Sequence, residues 1–334
     1  PKNPLHWIFL KNIRKKYQKV IQKLKPNILF SHSFPSNFFC LNLKNPKNYK
    51  HIYCCYEPYR LFHDRRYYHS APFLLKYFSK ILRIIYKKYD IVATKNADAI
   101  ICISLFIKKR IKEVYDCNSI LIYPNLNINQ INKSILSNFS LYEHLGLKKN
   151  QKIVFALGLS HHMKGARELI LIFNIIHQRI PDLVLLIGGW ISRSNYRLLK
   201  RTISKCKLPS NMIIFYGSIE SDKLKYFYQE SSITLYTAID EPFGLIPLES
   251  IIYGTPVVAF KGGPSETIID GKTGYVVKYN AIDDFAEKAI KIIKNKEFRD
   301  SFSKYGKNEI IKKFSFQESY RKLESIFKEI YSTI

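Results

Sequence analysis

Glu241-Pro242-Phe243-Gly244-Leu245-Ile246-Pro247-Leu248-Glu249 is the stretch on which the reading of this chain turns. Gly244 lets a ligand approach the backbone, Pro247 fits a first helical turn, and Leu245, Ile246, Leu248, Ile251 and Ile252 form an apolar stripe. A helix is therefore expected to begin near Gly244. Its leading N–H groups and the positive end of its dipole suit an anion, with diphosphate the obvious guest. Glu241 lies just before that helix and Glu249 more than a turn inside it. Carboxylates repel phosphate, so their expected work is to accept hydrogen bonds from hydroxyls, one facing a sugar and the other a ribose. The plain alternative is a helix cap with one solvated glutamate. Gly254-Thr255-Pro256 and Gly262-Gly263-Pro264-Ser265-Glu266, following at close spacing, argue for a ligand site instead.

Outward from that stretch, strand and helix signals alternate, the pattern of parallel α/β sheets. In the first half the strands expected are 27–31, 51–55, 99–103 and 119–122, with helices at 10–25, 72–95 and 104–115. Pro124–Ser140, rich in Asn and Ser, reads as a linker. A second series follows, with strands at 152–158, 183–187, 212–215, 233–236 and 257–260. Helices are expected near 164–178, 193–206, 220–230, 244–253, 281–294, 297–313 and 315–332. Gly158, then Lys164-Gly165 before an apolar helical pattern, places a lysine in a strand-to-helix loop where it can meet diphosphate. A solvated loop lysine is the alternative.

These segments resemble the retaining glycosyltransferases of family 4, whose C-terminal domain carries two glutamates separated by seven residues. The likeness extends through Ala97-Asp98-Ala99-Ile100-Ile101-Cys102-Ile103-Ser104, Ile122-Tyr123-Pro124-Asn125 and Asp270-Gly271-Lys272-Thr273-Gly274-Tyr275. It implies the GT-B fold: an α/β chain of two Rossmann-like domains with parallel sheets facing across a cleft. The implied domains are 1–125 for the acceptor, a linker at 126–150, 151–313 for the nucleotide sugar, and a helix at 314–334 returning to the first domain. It further implies Lys164 and Glu241 as catalytic residues, with Gly158, Lys164, Phe243, Gly244, Leu245 and Glu249 binding the donor. Tyr56, Glu57, Arg60 and His63 would stand on the acceptor side, with a satisfied structural histidine as the stronger alternative for His63.

The sequence departs from the family pattern in three places. Leu159 stands where many members have an arginine after the glycine, leaving Arg167 or His162 as substitutes. Tyr56 stands where a histidine is usual, and it cannot become positively charged near neutral pH. The first strand-loop-helix is not evident, so the first domain reads as incomplete.

Composition limits the alternatives. The chain has 334 residues, enough for two domains. Six cysteines without paired spacing suit reduced thiols and a cytoplasmic protein. No apolar run is long enough for a transmembrane helix or secretory signal. The net charge is +28, and residues 1–140 hold 25 Lys and Arg against 6 Asp and Glu. The basic faces are a helix with Lys15, Lys16, Lys19 and Lys23 outward from Ile13, Tyr17, Val20, Ile21 and Leu24, and a second cluster at Arg65, Arg66, Tyr67, Tyr68, Phe73, Lys76, Tyr77, Phe78 and Lys80. Either could meet anionic lipid at the inner face of a membrane, or be plain solvated surface in a Lys- and Asn-rich chain.

The expected reaction is metal-independent transfer of a sugar, hexosyltransferase-like, from a nucleotide diphosphate donor to a hydroxyl of a glycan or lipid-linked acceptor, in polysaccharide or lipopolysaccharide synthesis. No cofactor is expected. There is no Asp-x-Asp and no zinc-like His/Cys spacing, and adjacent His161 and His162 do not share a helix face. Glycoside hydrolysis is a weaker use of two glutamates, because one here belongs to an anion-binding helix. Nucleic-acid binding would explain the charge but not the glutamates or the Lys-Gly loop. A binding or scaffold subunit, impaired in catalysis, is the remaining rival.

Overall fold

A computed structural model describes residues 9–41, 49–70, 73–125 and 139–333. The chain divides into two compact units, 1–125 with Phe316–Ile334, and Leu126–Ser315.

The first unit runs α1 (Leu10–Leu24), β1 (Ile28–His32), α2 (Ser36–Cys40), β2 (Lys50–Cys55), α3 (Arg60–His63), α4 (Arg65–Ser70), α5 (Phe73–Lys95), β3 (Ala99–Cys102), α6 (Leu105–Tyr115) and β4 (Ile120–Leu121). Its four strands are parallel in the order β1-β2-β3-β4. β2 and β3 are almost wholly buried, as befits parallel strands covered on both faces, and apolar apart from Lys50 and His51 at the start of β2. Burial pushes the Cys54 thiol up to about 11 and the Cys55 thiol well above its usual range, so both behave as small hydrophobes.

The second unit runs α7 (Leu141–Leu145), β5 (Lys152–Leu157), a 3₁₀ turn (His162–Lys164), α8 (Ala166–Arg179), β6 (Leu183–Gly188), α9 (Arg193–Lys205), β7 (Ile213–Gly217), α10 (Leu224–Gln229), β8 (Ile233–Tyr236), α11 (Leu245–Ile252), β9 (Val257–Phe260), α12 (Pro264–Thr267), β10 (Gly274–Val277), α13 (Ile282–Lys294) and α14 (Lys296–Lys313). Its six parallel strands lie in the order β10-β9-β8-β5-β6-β7. The chain winds outward from β5 in one direction and then from β8 in the other, so the switch point falls between β5 and β8. The core lies between this sheet and α8, α9 and α13, with Leu169, Ile170, Phe173, Leu185, Ile187, Phe285 and Ile293 fully buried.

The last helix, α15 (Phe316–Tyr331), belongs to the first unit. Ile326 and Ile330 join Ile52, Cys54 and Ile101 in one cluster, and the Ser319 hydroxyl donates to the Tyr123 carbonyl at 2.9 Å.

Several sequence expectations change. β10 has no separate strand signal: its four residues follow a Gly-rich turn, and alignment beside β9 makes them a strand. In α1 the lysines are exposed, but so are Tyr17, Val20 and Leu24, at 51%, 54% and 70%. The inward face combines Leu10 and Ile13, packed on the first unit's aromatic cluster, with polar residues that serve carbonyls of the short α2 and the residue after it. Gln18 donates to Phe39 at 2.6 Å and Arg14 donates to Leu41. Part of the stretch read as linker is structured: Ser140 caps α7, and Leu141 is buried with its N–H on Glu230. Residues 126–138, and the side chains of Phe73, Lys76, Tyr77 and Phe78 in the second basic cluster, lie outside the described residues.

Candidate active site

The loop from β5 to α8 is pressed against the end of β8. Gly165 adopts φ +67°, and a Cβ there would sit 2.0 Å from the Thr237 carbonyl oxygen, so no larger residue fits. Thr237 donates through its hydroxyl to the Lys164 carbonyl at 3.1 Å, and the Ile239 N–H donates to Met163 at 2.8 Å. These bonds fix the root of Lys164 at the switch point. Its ammonium donates to Glu241 Oε2 at 2.9 Å and to the Tyr236 hydroxyl at 3.3 Å, with both charged side chains mostly buried.

Glu241 is held from its other side as well, since its carbonyl accepts the Gly263 N–H at 2.8 Å. This ties the Gly-Gly-Pro segment to the entrance of α11. Gly244 turns the chain at φ +100° before α11 begins, and the first intrahelical bond is Leu248 N–H to the Gly244 carbonyl. Pro247 has no N–H, so Leu245 and Ile246 are left with N–H groups that have no partner among the described residues. Phe243 is buried and packs edge-on against Phe314 at 5.4 Å, which makes it a support for this helix start rather than a ligand-facing group. Gly158, at φ +80°, follows β5, and a Cβ there would lie 3.2 Å from Ile246 Cδ1.

Glu249 points toward α10, where Tyr228 donates to Oε2 at 3.0 Å. Burial raises the Glu249 carboxyl above its ordinary range, partly offset by that hydrogen bond. Tyr228 stacks on Tyr253 at 5.6 Å. Tyr236 and Tyr228, which hold the two ends of the site, were not singled out from sequence: tyrosines are spread throughout the chain, and only the fold brings these two to Lys164 and Glu249.

Leu159, where a cation was missed, is 2% exposed and belongs to the core. Arg167, offered as a substitute, is largely solvated beside Glu168 at 3.8 Å.

In the first unit the acceptor-side candidates separate into two environments. Tyr56 is 41% exposed just after β2, and its hydroxyl meets His32 Nδ1 at 2.8 Å. His32, the last residue of β1, is a polar group that the sequence reading passed over, although its place after an apolar strand and before Ser33 marks the ligand end of a parallel sheet. Arg60 Nε donates to Glu57 Oε2 at 2.5 Å beside them in sequence. His63 instead turns into the interior. Its side chain is 2% exposed and its Nε2 meets Asp90 Oδ2 at 2.8 Å, where Tyr115 also donates at 2.7 Å and Asn37 donates to Oδ1 at 3.1 Å. A fully buried Asp90 needs these partners, which corrects the placement of His63 on an acceptor face.

Two parallel α/β units, one with an anion-ready helix start and a lysine at its switch point, are the elements of the GT-B fold. The chain belongs to the group 1 glycosyl transferases, whose family profile matches residues 140–309, and the profile of glycosyltransferase family 4 matches residues 1–126. An uncharacterized glycosyltransferase of Methanocaldococcus jannaschii is 28% identical over 327 residues, which cover 96% of this chain and 81% of that protein. The alpha-1,3/1,6-mannosyltransferase ALG2 of Dictyostelium discoideum is 35% identical over 121 residues, 36% of this chain and only 29% of that enzyme. Among solved structures, sucrose-phosphate synthase from Thermosynechococcus elongatus superposes with a TM-score of 0.81 at 17% identity, covering 98% of this chain and 79% of that one. That likeness speaks to fold alone.

Proposed function

We propose that the chain transfers a sugar from a nucleoside diphosphate donor to a hydroxyl of a glycan or lipid-linked acceptor, with retention at the anomeric carbon as the family 4 resemblance implies. The observation that carries this reading is the Lys164–Glu241 pair, 2.9 Å apart, beside the open N–H groups of Leu245 and Ile246. In the unliganded site the two charges neutralise each other. A diphosphate seated at the start of α11 draws Lys164 to itself and frees the Glu241 carboxylate to accept hydrogen bonds from the sugar. As the bond to the sugar breaks, charge grows on the leaving phosphate, where the ammonium and the two N–H groups already stand. Glu249, steadied by Tyr228, holds the ribose hydroxyls. Tyr56, Glu57 and Arg60 present the acceptor, with His32 beside Tyr56. This scheme calls for no metal.

No helix among the described residues is long and apolar enough to cross a membrane. The exposed Tyr17, Val20 and Leu24 next to lysines on α1 suit peripheral attachment to an anionic inner face, where lipid-linked acceptors are reached. Synthesis of surface polysaccharide or lipopolysaccharide is the setting proposed. A second reading, a subunit that binds donor without turnover, is favoured by one observation: Leu159 is buried where a second cation would be expected to meet diphosphate.

A thermal-shift series with UDP-, GDP- and ADP-sugars, with and without Mg²⁺, tests the proposal, because a ligand of the native state raises its apparent stability. The expected result is a metal-independent shift with one donor, abolished in both Lys164→Ala and Glu249→Ala. A folded protein that responds to no donor would overturn it, and a shift without measurable transfer would establish the second reading.

A further inference from the structure

The most exposed aromatic ring described in the second unit is Trp190, at 62%. It stands where β6 leaves the sheet, at the same C-terminal edge as Gly158 and Lys164. Its exposure is not the result of a loose loop. Gly188 ends a fully buried strand, Gly189 turns at φ +85°, and Ile191 packs against the core. Beyond it, Asn195 donates from Nδ2 to the carbonyls of Leu159 and His161 at 2.9 and 2.8 Å. The backbone is pinned on both sides while the indole between them is left in solvent. No other ring among the described residues stacks on it.

The root of that loop touches the donor site. A Cβ on Gly189 would lie 3.3 Å from the Gly158 nitrogen, and one on Gly158 would lie 3.2 Å from Ile246 in the first turn of α11. Gly189, Gly158 and Ile246 thus form one continuous contact leading to the open N–H groups. Lys164 and Glu241, the sugar end, are tied to β8 on one side of Gly158. Trp190 follows β6 on the other. On that side Gly188 abuts Ile219, since a Cβ there would come within 2.5 Å of Ile219 Cδ1. Ile219 begins the connection to α10, the helix that carries Tyr228, the partner of Glu249. A diphosphate anchored at Gly158 with its sugar toward Glu241 therefore directs its nucleoside toward this loop.

We propose that Trp190 is the stacking platform for the nucleobase of the donor, an inference that rests on the donor-site reading above. An indole offers a broad, rigid π face at little cost in side-chain entropy, and every base has a π face to match it. Stacking supplies affinity without choosing among bases, so the choice of base falls to polar groups elsewhere.

The chain contains two tryptophans, Trp7 and Trp190, so Trp7→Phe leaves Trp190 as the single tryptophan reporter, excited selectively over the tyrosines. UDP, GDP and ADP are titrated beside inorganic pyrophosphate. The expected result is quenching by at least one nucleoside diphosphate and none by pyrophosphate, although both bind. Trp190→Ala should weaken the Kd for that nucleotide about tenfold, the scale of one base stacked on an aromatic ring, and leave the Kd for pyrophosphate unchanged. Trp190→Phe should recover most of the loss. Equal nucleotide affinity in Trp190→Ala, with pyrophosphate binding still dependent on Lys164, would overturn the inference and leave the donor site standing. Failure of both pyrophosphate and nucleotides to bind the folded protein would overturn the two together. Quenching by free sugars rather than nucleotides would also reject the nucleobase assignment.

Discussion

The two units use the same architecture differently at the ends of their strands. In the second, backbone sets the loops that carry the candidate residues, with a glycine that admits no Cβ at 165, a left-handed turn at 244 and a helix whose first N–H groups are open, and side-chain bonds among Lys164, Glu241 and Tyr236 are added to that frame. In the first, they are fixed by side chains, with Tyr56 on His32, Arg60 on Glu57, and His63 drawn inward to Asp90. A site built from backbone holds an anion common to many donors. One built from side chains can be altered residue by residue, which agrees with the acceptor role proposed for it.

This contrast gives graded expectations for variants. Lys164→Ala removes the only cation found at the end of β5 among the described residues that meets Glu241, and should lower kcat about 10²–10³-fold, the loss typical of one preorganised electrostatic contact. Steady-state transfer assays would show it, and an unchanged kcat would move the leaving-group site elsewhere. Gly165→Ala forces a Cβ onto the Thr237 carbonyl at a left-handed φ, so about 2 kcal/mol or more of stability should be lost in urea unfolding. An equal Ala substitution at Gly146, also left-handed but with open space around it, should cost less. A reversed ranking would undo the claim that the β5–α8 loop is sterically locked.

In the first unit, Tyr56→Phe deletes one hydrogen bond to His32 and should reduce transfer about fivefold, in line with a single uncharged hydrogen bond. Donor binding should be unaffected, and a parallel loss of donor affinity would contradict the division of labour between the units. The smallest change in stability is expected at Glu249. Burial raises its folded carboxyl above the unfolded value of 4.5, so the unfolded chain ionises first as pH rises and stability falls through that window. Glu249→Gln keeps an acceptor for Tyr228, and should stabilise the protein near pH 7 in urea unfolding while losing donor affinity. The gain should fade as pH falls toward 4.5. A gain that persisted in acid would mean that ionisation is not its source.

The same contrast explains what could be read from sequence. The parallel α/β class, the helix starting at Leu245 and the Lys-Gly loop depend on local spacing of glycines, prolines and apolar residues, and spacing is visible in one chain. The strands Ile233–Tyr236 and Val257–Phe260 were legible for the same reason. Tyr228, Tyr236 and His32 became part of the picture only when strands distant in sequence aligned their ends. His63 shows the reverse case: its neighbourhood in sequence suggested an acceptor face, but a buried carboxylate 27 residues away decided its direction. In α1, helical spacing located the helix and part of its inward face, since Ile13 packs on the cluster, while the carbonyls of Phe39 and Leu41 brought Arg14 and Gln18 inward and left Val20 and Leu24 exposed.

A crystal structure grown with a nucleoside diphosphate would test the central claim most directly. The diphosphate is expected at the start of α11, within hydrogen-bond reach of the Leu245 and Ile246 N–H groups, with Lys164 turned from Glu241 to a phosphate oxygen. A diphosphate bound away from α11, with the Lys164–Glu241 pair still closed, would contradict it.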